Sequence, residues 1–296
     1  MRERGGVLEV LATGPMATVQ DLGRPGRGDL GVGRSGAADR SALRLANRLL
    51  ANPEDAAALE ITLGGLAVRA RGDLLVALTG AACPATITDA AGRTRGAGHQ
   101  AVERLPDGAT LWLGVPRHGL RTYVAVRGGL DVPQVLGSRA TDVMAGLGPE
   151  HPAPGALLPV GPPPEGFPVV DLAPVRDLQH REPVLEIVPG PRDDWFSEEA
   201  LKTLCAAPYE VTADSNRVGM RLLGPRLERV REGELPPEGM VPGALQVPPS
   251  GRPTLFLADH PVTGGYPVIA VVGTRDVDRA AQVRPGQFIR FRLARA

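Results

Sequence analysis

Three polar, glycine-studded stretches carry most of the side chains that could do chemistry. They run from Thr18 to Asn47, from Ala213 to Pro225, and from Gly243 to Val272 with a continuation at Ala281–Phe291. Each combines guanidinium, carboxylate, amide or hydroxyl groups. Such groups can stabilise an oxyanion, because donors aimed at developing negative charge lower its free energy. The pattern predicts a site that handles an anionic substrate or intermediate.

The first stretch follows the end of a predicted strand, a position where loops often carry function on a rigid scaffold. Gln20, Asp21 and Arg24 lie there. Arg24 could clamp a carboxylate or phosphate through two parallel hydrogen bonds, or it could pair with Asp21 and only lock the loop. With both alternatives open, Asp21 and Arg24 are catalytic candidates and Gln20 is a substrate-binding candidate.

Three more substrate-binding candidates lie around the start of the clearest predicted helix. Ser35 belongs to the glycine-rich loop that leads into it. Asp39 suits the N-cap position better than it suits catalysis. Asn47 faces away from the apolar stripe of this helix, and its amide could anchor the glycine-rich loop.

The second stretch places a hydroxyl, an amide and two guanidinium groups within seven positions. These belong to Ser215, Asn216, Arg217 and Arg221. Such donors suit an oxyanion, whether carboxyphosphate, carboxybiotin or a ring carbonyl that gains charge. The alternative is an Asx-type turn beside a solvated arginine. Asn216 and Arg217 are the catalytic candidates here, and Ser215 and Arg221 are substrate-binding candidates.

The third stretch adds a carboxylate, two amides and a run of exposed backbone N–H groups. Asp259 could be a general base or a turn former, and it is a catalytic candidate. Gln246 and Gln282 could orient a ureido or lactam group through paired amide bonds. The backbone of the run that follows Asp259 could form an anion-binding nest, and its members are Thr263, Gly264, Gly265 and Tyr266.

No motif of an autonomous catalyst is recognisable. The only lysine, Lys202, lies in a predicted helix, which excludes a Walker-type phosphate loop, a biotin attachment site and a Schiff base. No G-x-S-x-G nucleophile elbow occurs. No metal site is predicted, because no metal-ligand spacing appears among the two cysteines or among the five histidines, at 99, 118, 151, 180 and 260.

Periodicity predicts a mainly β chain with a few short helices. One helix opens at Asp39 and stops at Asn52-Pro53, and a second covers about Ser197 to Leu204. Many short strands separated by turns are typical of a sandwich or barrel. Residues 148–168 are rich in proline, which blocks strand pairing. We therefore predict two β-rich lobes, 1–165 and 166–296.

Composition excludes some partners. The 33 Lys and Arg balance the 33 Asp and Glu, whereas nucleic-acid binding depends on clustered positive charge. No apolar run approaches the about 18 residues of a membrane span. Cys83 and Cys205 show no paired spacing, which suits a reducing compartment. We expect a cytoplasmic protein with no nucleic-acid or membrane partner.

Five ordered motifs in these stretches resemble the family called allophanate hydrolase subunit 2. That family includes the carboxyltransferase domain of urea carboxylase and the antagonist of a sporulation-kinase inhibitor. The resemblance extends over about residues 7 to 291. In one departure, His260-Pro261-Val262 replaces a more polar run. The matching strings are TVQDLGRPG, SGAADRSALRLAN, SNRVGMRL, QVPPSGRPTLFLADHPVTGGYP and AQVRPG.

The resemblance implies two cyclophilin-like β-barrel lobes and work in a complex with a subunit-1-type protein of the same general fold. Such pairs resemble the B and C subunits of the prokaryotic 5-oxoprolinase, which open the 5-oxoproline lactam with ATP together with a third, A-like subunit. One alternative is the carboxyltransferase component of a urea-type carboxylase, with biotin supplied by a partner. Another is a non-enzymatic regulator that binds a kinase-inhibitor partner.

Overall fold

A computed structural model describes residues 6–174, 182–233 and 235–295, so His180 lies outside the described residues. These residues form two compact units. Unit 1 lies within Met1–Arg24, Asp39–Thr141 and Leu147–Gln179, and unit 2 lies within Pro25–Ala38, Asp142–Gly146 and His180–Ala296. The units are therefore not two continuous halves, because two short segments of the first half belong to unit 2.

Unit 1 consists of two β-sheets. One sheet has the strand order β11-β1-β4-β9-β6-β7, and the other has the order β2-β3-β10-β5-β8. The strands are β1 Val7–Thr13, β2 Met16–Gln20, β3 Ala58–Thr62, β4 Leu66–Arg71, β5 Leu74–Gly80, β6 Ala85–Thr88, β7 Thr94–Gly96, β8 Val102–Leu105, β9 Thr110–Leu113, β10 Arg121–Val126 and β11 Leu157–Pro159.

The core of unit 1 follows from strand alternation. In β4, Leu66, Val68 and Ala70 are buried while the residues between them are more exposed, because successive side chains point to opposite faces of a sheet. β10 differs, since all six of its residues are buried. It lies between β3 and β5 and pairs antiparallel with both. The core is built from aliphatic side chains.

The helix α1, Arg40–Leu49, belongs to unit 1 and begins at a capped end. Asp39 is its N-cap residue, and the Asp39 side chain accepts a hydrogen bond of 2.9 Å from the Ala42 N–H. This bond satisfies one of the donors that the first turn of a helix leaves unpaired. The helix buries Leu43 and Leu49. The predicted helix and its cap are confirmed.

Unit 2 contains a closed barrel with the strand order β12-β19-β16-β17-β14-β13-β20. It closes through a parallel pairing of β12 with β20. The strands are β12 Val184–Pro189, β13 Tyr209–Val211, β14 Gly219–Leu223, β15 Glu238–Gly239, β16 Ala244–Gln246, β17 Thr254–Phe256, β18 Thr263–Gly264, β19 Val268–Val272 and β20 Phe288–Leu293. Among its described residues, this unit has the α-helices α2 Glu198–Ala206 and α3 Thr274–Ala280. The mainly β fold is confirmed.

Two details of the sequence prediction need correction. Residues 148–168 contain a strand, because Leu157–Pro159 pairs antiparallel with β1. Proline is tolerated there since β11 is an edge strand, with an outer side that needs no ladder hydrogen bond. The helix α3 was not predicted, since its seven residues are too few to show helical periodicity. Within the described residues, no helix is long and apolar enough to span a membrane.

The cap of α1 gives a stability prediction. Replacing Asp39 with alanine leaves the Ala42 N–H without its partner and should lower the free energy of unfolding by about 1 kcal/mol. Asp39→Ser keeps a side-chain oxygen at the cap and should recover most of the loss. Urea unfolding of the three proteins measures this effect, and equal stability of the alanine variant and the wild type would contradict it.

Candidate functional site

A buried ion pair forms the centre of the polar cluster in unit 2. The Arg217 Nε donates to Asp259 Oδ2 at 2.9 Å, and the Arg217 Nη2 donates to Asp259 Oδ1 at 3.0 Å. The two side chains are 1% and 0% exposed. Parallel hydrogen bonds between a guanidinium and a carboxylate fix both groups in one plane. Arg217 and Asp259 were separate catalytic candidates in the sequence, and their roles in catalysis stay predictions.

The ion pair forms hydrogen bonds with both of the short segments from the first half of the chain that belong to unit 2, Pro25–Ala38 and Asp142–Gly146. Ser35 donates from Oγ to Asp259 Oδ1 at 2.6 Å, and Arg217 Nη2 donates to the Gly36 carbonyl oxygen at 2.6 Å. The Val143 N–H donates to Asp259 Oδ2 at 3.2 Å. We call these five residues the Arg217–Asp259 cluster. Asp259 accepts hydrogen bonds from three residues, so its carboxylate is held in place by donors from three parts of the sequence.

Ser35 has an uncommon backbone conformation within this cluster. Its φ is +53°, in the left-handed region, and its side chain is buried. A non-glycine residue there costs on the order of 1 kcal/mol or more and persists only where its surroundings fix it. Here the bond to Asp259 does so. Strained residues of this kind concentrate at functional sites, which supports Ser35 as a site residue.

His260 comes directly after Asp259 in the sequence and is buried, with 7% of its surface exposed. Its Nδ1 lies 2.8 Å from the Pro261 carbonyl oxygen, and its ring lies 6.3 Å from that of Phe256. Burial lowers the pKa of His260, against the opposing effects of the Pro261 carbonyl and of the Asp259 and Asp142 charges. In the sequence, His260 stood out only as a departure from the family pattern.

Ser215 and Asn216 form a turn, which was the alternative interpretation of this segment. The Asn216 Oδ1 accepts from the Val218 N–H at 2.8 Å, which is an Asx-type contact. The Ser215 Oγ accepts from the Arg221 N–H at 3.0 Å. Both polar side chains therefore bind the backbone of their own hairpin. Their predicted roles in catalysis and substrate binding stay predictions.

Arg221 does not share the environment of Arg217. Arg217 is buried in the ion pair, whereas Arg221 is exposed on β14 and its Nη1 donates to Thr254 Oγ1 at 3.3 Å. The two arginines are four positions apart, but a turn separates them and the strand directs Arg221 outward. The expectation of one donor set across 215–221 is therefore wrong.

The predicted anion-binding nest at Thr263–Tyr266 is absent from these residues. Thr263 and Gly264 form β18, which pairs antiparallel with Glu238–Gly239. Neither Gly264 nor Gly265 has the positive φ that a nest of alternating conformations needs. Strand pairing, which extends the backbone, accounts for the difference. The substrate-binding roles of these four residues stay predictions.

Gln246 has a fixed amide orientation. Its Nε2 donates to the Tyr266 carbonyl oxygen at 3.1 Å and lies 3.9 Å from the Met240 sulfur. The backbone of Gly264 comes close, since a Cβ at that position would lie 2.5 Å from Gln246 Nε2. Gln246, Gly264 and Tyr266 are thus brought together. Gln282 is also buried, just after α3.

Unit 1 holds a polar cluster around Asp21. Its carboxylate accepts from the Gly23 N–H at 2.7 Å, the Ser138 hydroxyl at 2.7 Å and the Arg139 N–H at 2.6 Å. These bonds tie the end of β2 to residues 138 and 139. A loop-locking role for Asp21 agrees with this arrangement.

Gln20 and Arg24 bind the same part of unit 1. The Gln20 Nε2 donates to the Thr141 carbonyl oxygen at 2.9 Å. Arg24 donates from Nε to the Val135 carbonyl oxygen at 3.3 Å and from Nη2 to the Ala140 carbonyl oxygen. Both side chains are buried. Roles of Gln20, Asp21 and Arg24 in catalysis or binding stay predictions.

Asn47 corrects a sequence expectation. It is fully buried, and its Nδ2 donates to the Ala56 carbonyl oxygen at 2.8 Å and to the Glu54 carbonyl oxygen at 3.2 Å. It therefore anchors the loop that follows α1 and not the glycine-rich loop before it. The buried face of α1 is wider than its apolar stripe and includes Asn47. The Asn47 amide therefore lies inside the unit, where it donates to backbone carbonyl oxygens.

A buried network in unit 1 was not predicted from the sequence. Tyr123 donates from its hydroxyl to Glu60 Oε2 at 2.7 Å and accepts from the Asp39 N–H at 2.8 Å. Arg121 lies 3.4 Å from Glu60. Burial and the neighbouring Glu60 and Asp39 charges raise the pKa of Tyr123. The sequence signal for this network was one charged residue in each of two otherwise uncharged strands, Glu60 in β3 and Arg121 in β10.

No metal site is apparent, since no three His, Cys, Asp or Glu side chains converge to hold an ion among the described residues. Lys202 lies on the surface of α2, where its Nζ bonds Glu199 at 2.7 Å.

Known proteins of similar sequence and structure identify the family. A family model described as carboxyltransferase domain, subdomain A and B, matches residues 30–293. The C subunit of 5-oxoprolinase from Escherichia coli (strain K12) is 38% identical, and the match covers 96% of this chain and 90% of that protein. The chain belongs to the carboxyltransferase-domain family, which confirms the resemblance found in the sequence.

Solved structures agree with that assignment. The crystal structure of Kluyveromyces lactis urea carboxylase matches with a TM-score of 0.90 and 28% identity, over 98% of this chain and 28% of that chain. The crystal structure of TTHA0988 matches with a TM-score of 0.85 and 36% identity, over 99% of this chain and 56% of that chain. This chain thus spans about half of one solved relative and a smaller part of the other.

Breaking the buried ion pair should be costly. Asp259→Asn leaves the Arg217 guanidinium buried without a countercharge and should lower the free energy of unfolding by about 3–5 kcal/mol. Glu199→Gln, which breaks the exposed pair with Lys202, is the matched control and should cost about 0–1 kcal/mol. Urea unfolding compares the two, and similar small losses would refute the structural weight given to the pair.

The lowered pKa of His260 predicts an acid-sensitive contribution to stability. Above the unfolded pKa the ring is neutral in both states, and the contribution is fully present. As the pH falls from the unfolded pKa through the lower folded pKa, the unfolded state binds the proton first, and this contribution to stability is lost. Between about pH 7.5 and pH 5.5, His260→Gln should lose less unfolding free energy than the wild type. Parallel losses in both proteins would contradict the prediction.

Proposed function

We propose that this chain is the C-type component of an ATP-dependent 5-oxoprolinase, which opens the 5-oxoproline lactam to glutamate. It would act with a subunit-1-type, B-like partner and with a third, A-like partner. The observation that carries the proposal is the match to the E. coli 5-oxoprolinase protein, which covers nearly the whole of both chains. The urea carboxylase match covers only 28% of the larger protein.

The reaction requires an activated amide. In this proposal the γ-phosphoryl group of ATP is transferred to the lactam oxygen and ADP leaves. Water adds to the ring carbon, the C–N bond breaks, and the nitrogen takes up a proton to give γ-glutamyl phosphate. A second water then releases phosphate and glutamate. Negative charge develops on the departing ADP during phosphoryl transfer and on the carbonyl oxygen when water attacks the acyl phosphate, and fixed donors stabilise such charge better than mobile water.

Gln246 is the residue of this chain best suited to a lactam. Its Nε2 is held by the Tyr266 carbonyl oxygen, which leaves Oε1 as an acceptor with no hydrogen bond from any described residue. A lactam N–H is a donor that would match this acceptor.

The Arg217–Asp259 cluster would position the site and not take part in proton transfer. The Asp259 carboxylate is already engaged by Arg217, Ser35 and Val143. A group so fully bonded orders its surroundings. In this proposal the ion pair holds Ser35 and Gly36, and it gives Asp259 no role as the general base and Arg217 none as a direct oxyanion donor.

A second candidate is the carboxyltransferase component of a biotin-dependent, urea-type carboxylase. The fold match to urea carboxylase, at a TM-score of 0.90, favours it. Biotin would be attached to a partner, because Lys202 is on a helix surface and bonded to Glu199.

Reconstitution with the partner proteins tests the proposal. The complete complex should release ADP only when 5-oxoproline is present, and omission of this chain should abolish the release. Urea in place of 5-oxoproline, and avidin added to the assay, are the matched controls. Release that depends on urea and is blocked by avidin would favour the carboxylase instead.

A Gln246 variant tests the binding role within the same assay. Gln246→Met keeps the side-chain shape and removes the acceptor, so the KM for 5-oxoproline should rise about tenfold or more. Gln134→Met, at an exposed glutamine of unit 1, is the control and should behave as wild type. An unchanged KM for Gln246→Met would remove Gln246 from the site while leaving the overall function open.

A further inference from the structure

A pocket on the outside of the unit 2 barrel is separate from the Arg217–Asp259 cluster. It has a volume of about 510 Å³. Pockets of about 300–1,000 Å³ are typical of small-molecule sites. Its polar wall is formed by Thr212, Asp214, Arg221, Ser250, Arg252 and Thr254. Apolar walls come from leucine and proline side chains of the same segments, so the pocket offers both charge and an apolar surface to a ligand.

Strand geometry places Arg221 in this pocket. In β14, Met220 and Leu222 are buried in the barrel core, so Arg221 between them points outward. The antiparallel register sets Arg221 opposite Thr254, and the Arg221 Nη1 donates to the Thr254 hydroxyl at 3.3 Å. The guanidinium is thus oriented by the sheet.

Arg252 brings a second positive charge to the same wall. It lies two residues before β17, where its backbone N–H donates to the Ser250 hydroxyl oxygen at 3.4 Å. Across the described residues, neither Arg221 nor Arg252 has a carboxylate within ion-pair distance, unlike those arginines of this unit that form ion pairs. Asp214 lines the pocket without pairing with either arginine, so two unneutralised guanidinium groups face one carboxylate.

We propose that this pocket binds a small organic molecule through an oxyanion, a carboxylate or a phosphate, held by Arg221 and Arg252. Guanidinium groups bind such oxyanions through paired, charge-assisted hydrogen bonds. The Ser250 and Thr254 hydroxyls supply further donors, and the leucine and proline walls cover the apolar part of the ligand. The inference goes beyond the proposed 5-oxoprolinase function, because it rests on the pocket alone.

Calorimetric titration of the full chain tests the pocket, in a buffer free of phosphate and carboxylate. The phosphate arm uses ATP with adenosine as its uncharged counterpart. The carboxylate arm uses 5-oxoproline with 2-pyrrolidinone as its uncharged counterpart. One of the two charged probes should bind with millimolar or tighter affinity, and its uncharged counterpart should bind at least about tenfold more weakly.

Variants place that binding in the pocket. Arg221→Gln and Arg252→Gln should each weaken binding of the charged probe about tenfold or more. Arg275→Gln is the charge-matched control, since Arg275 is exposed at the start of α3 and outside the pocket. Binding of neither charged probe, or equal weakening by all three variants, would overturn the proposal. Because ADP release by the complex is measured separately, failure here leaves the proposed function testable.

Discussion

One buried ion pair determines how unit 2 is assembled. Arg217 precedes β14 and Asp259 follows β17, so the two residues come from different parts of the barrel sequence. They also form hydrogen bonds with Ser35, Gly36 and Val143. Charges this deeply buried are tolerated only when paired and fully bonded. The two segments taken from the first half of the chain supply part of that bonding. The ion pair is therefore a constraint on chain topology as well as on local geometry.

The polar groups that the sequence offers as one set divide into several environments. Arg217 is inside the cluster and Arg221 lies in an outer pocket, although four positions separate them. Ser215 and Asn216 serve the turn that causes this division. Gln246 lies against Gly264 and Tyr266 in a third environment. Anion-handling chemistry in this protein thus has more than one possible location within unit 2.

The sequence predicted the mainly β fold, because short β-type segments separated by turns recur along the chain. The helix α1 and its Asp39 cap follow from residue type and position. The strands Glu238–Gly239 and Thr263–Gly264 were not predicted. Two residues are too short for periodicity, and glycine-rich sequence favours a turn or nest equally well.

Of the candidate site, the sequence identified residue types but not their partners. Arg217 and Asp259 were both candidates, yet their separation of 42 positions hid the bidentate pair. Val143 was invisible, since it contributes only a backbone N–H. Asn47 was placed on the wrong side of its helix because an amide that binds backbone carbonyls can be buried in an otherwise apolar face.

Hydrogen exchange resolved by peptide tests the central claim that the ion pair holds residues 25–38 and 142–146 in unit 2. The comparison is between the wild type and Arg217→Lys, which keeps the charge but loses the paired hydrogen bonds. We expect faster exchange in those two segments, with barrel strand β19 still protected. Unchanged protection of 25–38 and 142–146, in a variant whose exchange differs from wild type only elsewhere, would contradict the claim.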